Sequence, residues 1–355
     1  MQIIEDYESL HKIPELGFHL PKTTAYIEKS LQPLPCTVTT PTPGSVCAYF
    51  DFGRKETLCF RADTDALPIR EETPLSYASR HPGVMHACGH DGHTAILLEL
   101  ARRLPESGYN VLLIFQPGEE TEGGAEALCQ AGILESYRVK YIFALHLWPG
   151  LPQGEIFSKA GVLMAGSTGV KAAFFGKSVH IANAEAGADA LSACCRFALE
   201  APGAVTDGLL KFGKMQGGTA ENILCGNAAL WGSLRLLSHR DDTQKLEKIC
   251  HLIAEKYGCR GEIHFRPGYP AVENPEELFH QIKNAYPIRE LQSPFWTTED
   301  FSFYQRKIPG FYALLGLGDT PPLHSPRFSF DPEVLSVGVR YFLKILSYLG
   351  ENGKS

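Results

Sequence analysis

The densest chemistry in the chain lies in Met85-His86-Ala87-Cys88-Gly89-His90-Asp91-Gly92-His93. Histidine nitrogen and thiolate sulfur are the usual soft and borderline ligands of transition metals. Cys88 and His90 are two positions apart, so an extended segment puts both side chains on one side. Gly89, between them, lets the backbone bend tightly. The rival reading is a helix-capping loop with buried histidines. A lone histidine would favour that reading, whereas this density favours a metal. His93 falls in the first turn of the following helix and could be structural, and Asp91 is expected to cap that helix.

A second signal is Phe115-Gln-Pro-Gly-Glu119-Glu120. Adjacent carboxylates after an apolar strand repel each other and are costly to bury together. A metal resolves that cost: one carboxylate ligates, and its neighbour receives a proton from a water at the metal. A solvated acidic turn, supported by nearby Glu122, is the competing explanation. His146, in Ala144-Leu145-His146-Leu147-Trp148-Pro149, ends an apolar strand, and His324 sits between prolines in Pro322-Leu323-His324-Ser325-Pro326. Each taken alone is more often a hydrogen-bonded structural histidine than a ligand.

The elements around these residues alternate. Helical patterns cover about 3–11 and, after Pro21, 22–31; strands are expected at 46–50 and 57–62, a helix at 91–104, a strand at 110–116, a helix at 124–131 and a strand at 141–146. Such alternation implies an α/β unit with a helix-covered, mainly parallel sheet, whose ligands gather at the carboxyl ends of the strands. The middle has another rhythm: strand 170–176, helix 187–200, strands 207–216 and 228–237, helix 241–257 and strand 261–265. That β-α-β-β-α-β order is ferredoxin-like and reads as an insertion. The expected division is 1–167 and 273–355 for a catalytic domain and 168–272 for an inserted lid. Asn274-Pro275 and Asp331-Pro332 read as helix starts, and Cys194-Cys195 as core.

Composition bounds the function. The 355 residues carry 33 Lys and Arg against 40 Asp and Glu, a formal charge of −7, which argues against a nucleic-acid partner. No uncharged apolar run approaches the roughly 18 residues of a membrane span. The first residues lack a signal-peptide pattern. Ten scattered cysteines without a C-x-x-C pair read as mostly reduced and buried in a cytoplasmic protein. Ala165-Gly-Ser-Thr-Gly169 lacks the first glycine of a nucleophile elbow. Gly316-Leu-Gly-Asp-Thr-Pro321 ends in proline where a dinucleotide fingerprint needs glycine.

The motifs His86-Ala-Cys-Gly-His-Asp-Gly-His93, Arg61-Ala-Asp-Thr-Asp-Ala-Leu-Pro68, Gln116-Pro-Gly-Glu-Glu120 and Leu145-His-Leu-Trp-Pro149 occur together. So do His11-Lys-Ile-Pro-Glu-Leu-Gly-Phe18, Gly217-Gly-Thr-Ala-Glu-Asn222, Thr298-Glu-Asp-Phe301 and Leu323-His-Ser-Pro326. Over nearly its whole length the chain thus resembles the dinuclear metal-dependent N-acyl-amino-acid amidohydrolases. That group includes hippurate hydrolase, N-acetyldiaminopimelate deacetylase and the auxin-conjugate hydrolases, and is related to aminoacylase and zinc carboxypeptidases. The resemblance implies Cys88, His90, Glu120, His146 and His324 as ligands of two divalent metal ions, and Glu119 as general base. It implies that His180, from Gly176-Lys-Ser-Val-His180, holds the substrate's carbonyl oxygen or carboxylate. Asn222 and Arg235 match substrate-binding positions. Asp65 fits a residue that orients a ligand, or a plain turn aspartate.

The implied reaction places two metals about 3.5–4 Å apart around a water whose pKa falls toward 7. Glu119 takes its proton, hydroxide attacks the amide carbonyl, His180 helps hold the oxyanion, and lid closure excludes bulk water. The substrate expected is a small N-acyl amino acid, the metals zinc or manganese, with nickel or cobalt as further candidates, and the assembly a homodimer through the lid. A dipeptidase or carboxypeptidase using the same site, and a non-catalytic metal-stabilised binding protein, are the alternatives. Two departures from the relatives lie in the lid: Ala184-Glu-Ala-Gly-Ala-Asp189 lacks their Pro-His pair, and Cys225 replaces a common proline.

Overall fold

Apolar residues in short runs bounded by turns form strands here, and runs of period 3.6 form the helices between them. In chain order, α1 (Gln2–His11) and α2 (Pro21–Leu31) precede β1 (Thr37–Thr39), β2 (Val46–Phe50) and β3 (Thr57–Asp63). Next come α3 (His90–Arg102), β4 (Asn110–Gln116), α4 (Gly124–Gln130), α5 (Ile133–Ser136), β5 (Val139–Trp148), β6 (Ile156–Ser158) and β7 (Gly161–Met164). Then follow β8 (Gly166–Phe175), α6 (Ala190–Glu200), β9 (Gly208–Gly217), β10 (Asn227–Leu236), α7 (Thr243–Lys256) and β11 (Arg260–Pro267). The last elements are β12 (Val272–Asn274), α8 (Glu276–Ala285), β13 (Arg289–Glu290), α9 (Ser302–Gln305), β14 (Gly310–Gly316) and α10 (Leu335–Asn352). The structure, a computed structural model, describes residues 1–121, 123–238 and 242–352. Glu122, expected in an acidic turn, and Asp241, expected to open a helix, lie outside those residues.

The chain divides into two compact units. One comprises Met1–Leu163, Val272–Ser293 and Glu299–Ser355, and the other Met164–Ala271 with Pro294–Thr298. The first is built on a sheet of order β1-β2-β4-β3-β5-β14-β6-β13. Its central strands, β4, β3, β5 and β14, run parallel, and antiparallel pairs appear toward the edges. Every residue of β3, β4 and β14 is buried, as parallel strands covered on both faces require. Phe60 of β3 meets Phe143 of β5 and Phe342 of α10, with ring centroids 5.5 and 5.1 Å apart. The second unit is a four-stranded antiparallel sheet of order β11-β8-β10-β9, with the β-α-β-β-α-β order expected. Val170, Ala172 and Phe174 alternate along β8 toward a core shared with Phe197 of α6 and Leu246 and Ile253 of α7.

Three local expectations change. Asp91 does not cap α3: Gly89 occupies that position at φ 84, in the left-handed region that glycine enters without steric cost. Asn274 does not cap α8 either. Its buried amide donates to Ser158 Oγ and the Lys159 and Tyr312 carbonyls and accepts from the Tyr312 N–H, which ties β12 to β6 and β14. Cys194 is buried but Cys195 is exposed, because adjacent helical residues point about 100° apart.

Asp91 instead anchors the first helix. Its Oδ2 lies 2.6 Å from Nδ1 of His11, and Glu71 Oε1 lies 3.3 Å from the other ring nitrogen. Burial disfavours the imidazolium, but the two carboxylates outweigh it and raise the His11 pKa to about 9. A folded-state pKa above the unfolded value of about 6.5 contributes stability below that pH and loses it as pH rises toward 9. The melting-temperature advantage of the wild type over His11→Gln should therefore be large near pH 6.5 and shrink by about pH 9.5. Thermal melts across that range check it; a gap that does not change with pH would contradict the charged clamp.

Candidate metal centre

The parallel strands deliver the site at their carboxyl ends. β3 ends in Asp63 and leads to Asp65, β4 leads through Pro117 and Gly118 to Glu119 and Glu120, and β5 carries His146 near its end. His90 opens α3 just after Cys88. His324 lies beyond β14 at φ 64, a strained position for a residue with a Cβ, and its N–H donates to the Ala87 carbonyl. That bond sets the last loop against the Cys88 segment.

The five sequence-predicted ligands come together. Cys88 Sγ is 3.5 Å from His146 Nε2. Glu120 Oε1 is 3.2 Å from His324 Nε2 and 3.9 Å from His90 Nε2. Ligand atoms of Cys88, Glu120 and His324 lie within 4.8 Å of one another, as do those of His90, Glu119 and Glu120. His90 Nδ1 donates to the Asp65 carbonyl at 2.8 Å and His146 Nδ1 to the Leu147 carbonyl at 2.7 Å. With Nδ1 donating in each ring, both Nε2 atoms turn into the site, where a cation would take the place of a proton on them. His90 Nε2 is buried and makes no hydrogen bond to any described residue, and Glu120 Oε1, also buried, has only its ion-pair contacts with His324 and His90. Buried polar atoms are rarely left so, and soft, imidazole and carboxylate donors around them suit divalent cations. The residues fit two such ions.

Electrostatics point the same way. Burial, then Glu299, Asp300 and Glu120, push the Glu119 carboxyl well above its usual range. Burial also raises Glu120, but His324 and His90 hold it below. The Cys88 thiol is pushed up by burial and by Glu120, Glu119 and Asp63. Burial opposes charge on His90 too, yet Asp63, Asp65 and Glu120 raise it to about 10. Burial and His93 hold His146 well below the ordinary value. The shifts of Glu119, Cys88 and His90 report crowded carboxylates, which a cation would relieve by favouring the thiolate and the carboxylates.

Asp65 turns out to be a hub. Its carboxylate accepts the Glu119 N–H at 3.0 Å on one oxygen and the Glu120 N–H at 3.1 Å on the other. Its carbonyl accepts from His90 Nδ1, so one residue positions both glutamates and His90. Gly124 closes the same turn: a Cβ there would sit 1.7 Å from the Pro117 carbonyl oxygen. His93 is structural, with Nδ1 2.5 Å from Asp63 Oδ1 and Nε2 accepting the Leu147 N–H at 2.9 Å. Both of its nitrogens are used, and the second bond fixes the backbone next to His146.

Sequence reasoning gave no role to the residues behind the ligands. Arg61 Nη1 donates to Asp63 at 2.9 Å, Nη2 to Asp300 at 2.7 Å, and Nε to Gln116 at 2.9 Å. Glu299 lies 3.1 Å from the same guanidinium and accepts the Tyr312 hydroxyl at 2.6 Å. The available signal was a charged residue inside the apolar run 57–62.

Of the candidates in the second unit, His180 and Asn222 meet. His180 forms a β-bridge with Ile223, and the Ile181 N–H donates to the Asn222 carbonyl at 3.0 Å. Arg235 does not join them: it is paired with Ser167 near the far end of β10, about 27 Å along the strand from Asn227 at ~3.4 Å per residue.

Residues 59–348 match peptidase family M20/M25/M40. The N-acetyldiaminopimelate deacetylase of Streptococcus uberis is 35% identical, with 99% of each chain covered. A Geobacillus protein of that name is 32% identical over 97% of this chain and 96% of its own. The crystal structure of the Bacillus subtilis YXEP protein, a dinuclear metal binding peptidase, superposes with a TM-score of 0.88 at 31% identity, covering 98% of this chain and 97% of that one.

Removing Asp65 should disorganise the centre without unfolding the unit. Asp65→Ala is expected to lower metal affinity about 10–100-fold while the far-UV circular dichroism is retained. Metal titration checks this; wild-type affinity in the variant would show that the two amide bonds orient nothing.

Proposed function

The chain belongs to peptidase family M20/M25/M40, and as a hydrolase of amide bonds within that family we propose that it cleaves N-acyl amino acids to a carboxylic acid and a free amino acid. The observation that carries this reading is the convergence of Cys88, His90, Glu120, His146 and His324 around orphaned donor atoms, with the buried Glu119 carboxyl in the same cluster. The deacetylase names of similar chains support an acylated amino acid as substrate.

Those five side chains would hold two divalent cations, zinc or manganese by donor chemistry, with nickel or cobalt as further candidates. When bound, the ions supply Lewis acidity toward the amide carbonyl and acidify water. Glu119 is the base that takes a proton from the attacking water and later delivers it to the departing nitrogen as the C–N bond breaks. Burial and the neighbouring acids hold its carboxyl above the usual range, which makes it a stronger proton acceptor than a free carboxylate. Asp65 keeps the base and its neighbouring ligand apart by gripping both amides, so their carboxylates serve separate tasks. His180, beside Asn222, is the candidate for contact with the substrate's carbonyl oxygen or carboxylate.

A panel of N-acetyl and N-benzoyl amino acids and free dipeptides, assayed on metal-reconstituted protein, tests the substrate class. Turnover of acyl amino acids is expected; turnover confined to dipeptides would overturn the proposal. Glu119→Gln should keep its metal yet lose about 10²–10⁴ in kcat/KM. Near-normal turnover by a metal-loaded variant would remove Glu119 from the role of base.

A further inference from the structure

The second unit packs its helices on one face of its sheet, and the other face carries a built cleft of about 370 Å³. Register explains its shape. Trp231 of β10 lies directly opposite Lys171 of β8 and Lys214 of β9. Two residues along, Ala229 lies opposite Ala173, and two further on Asn227 lies opposite Phe175. Side chains two apart share a face at ~3.4 Å per residue, so the alanines floor a trough whose aromatic rows stand about 14 Å apart. A bulge follows Trp231, where Gly213 is left without an opposite residue and Gly232 pairs with Phe212.

The charged residue of the lining is Lys171; Lys214 flanks it on β9, and Arg260, Glu262 and His264 stand opposite Phe175, Ala173 and Lys171 on β11. Lys171 and Lys214 place their ammonium groups 5.6 and 4.7 Å from the Trp231 ring centroid. Neither has a carboxylate partner among the described residues, and no Asp or Glu lines the cleft. Arg260 lies 4.6 Å from the Phe175 centroid, and Glu262, which pairs with it, is also outside the lining. A volume of this size holds a small organic molecule, with apolar walls for its body and a few polar groups to fix it.

We propose that this face binds a flat aromatic carboxylate. Its ring lies on Ala173 and Ala229 between Phe175 and Trp231, and its carboxylate takes Lys171, with Ser178 and Gln216 at the rim. The alanine floor lets a planar body lie flat, and the aromatic side chains bound the trough at either end. The ammonium group of Lys171, on the lining, selects the anion. None of the five candidate metal ligands, Glu119, His180 or Asn222 lines this cleft, although Ser178 and Gly217 to Thr219 belong to the segments that carry His180 and Asn222.

The test is a titration of the full chain, stripped of metal by a chelator so that binding at the metal centre does not contribute, with benzoate, acetate, benzyl alcohol and phenyl phosphate. Tryptophan fluorescence and calorimetry report binding. One saturable site for benzoate is expected, with acetate and benzyl alcohol each at least about tenfold weaker. Trp231→Ala should weaken benzoate about tenfold or more, and Lys171→Met should remove the preference for benzoate over benzyl alcohol. Both are surface changes whose folding is checked by circular dichroism. Equal binding of acetate, binding of phenyl phosphate alone, a benzoate affinity unmoved by either variant, or a Trp231 signal that tracks protein concentration through self-association would each overturn the proposal.

Discussion

Carboxylates that leave water must find compensating charge or hydrogen bonds, or take up protons. Asp63, Asp65, Glu119, Glu299 and Asp300 are all buried at one end of a parallel sheet, where the buried guanidinium is Arg61. That guanidinium is fully engaged by Asp63, Glu299, Asp300 and Gln116. What remains is an acidic interior facing imidazole nitrogens and a thiol, a donor set that would fit divalent cations. The rest of the first unit is arranged around that imbalance. Rigid strands hold the acids, tight turns aim them, and histidines bonded through Nδ1 present Nε2 inward.

The pair Glu119-Glu120 shows how the fold separates two identical groups. Adjacent residues in a turn diverge, and the Asp65 carboxylate receives both of their amides. One carboxylate then meets His324 and His90, which keep it ionised, and the other meets Glu299 and Asp300, which favour its protonated form. Chemistry that needs a permanent ligand beside a group that gains and loses a proton calls for such a split. The environment of each side chain creates it, since residue type alone cannot.

Much of this was legible in the residues. The Cys88–His90 spacing, the doubled glutamate after an apolar strand and the β-α-β-β-α-β rhythm each point to what the structure contains. Local spacing could not reveal long-range partners. Arg61 and Asp300 meet across 239 positions, and nothing near either residue announces the other. Asn274 looked like a cap because Asn-Pro usually is one, but tertiary burial claimed its amide for β6 and β14. Asp91 was likewise drawn from the helix end by His11. Short strands at or beside the sheet edges, β1, β6 and β13, escaped notice because a few residues carry too little periodicity. Arg235 matched a motif position, yet strand register puts it far from Asn222, and register is invisible in a linear pattern.

The Arg61–Asp300 bond also bears on when during synthesis the pocket can exist. The chain leaves the ribosome from its amino end, so β3, α3, β4 and β5 are exposed long before Asp300 and Glu299 emerge. Until then Arg61 has only Asp63 as a counter-ion, and β5 lacks the parallel neighbour β14. The intervening segment, compact on its own with local antiparallel pairings, can finish while its host is still half made. The candidate metal cluster can therefore be complete only after Asp300 and His324 have emerged, and a nascent chain stalled before that stretch would carry most of the candidate donors without the scaffold that aims them.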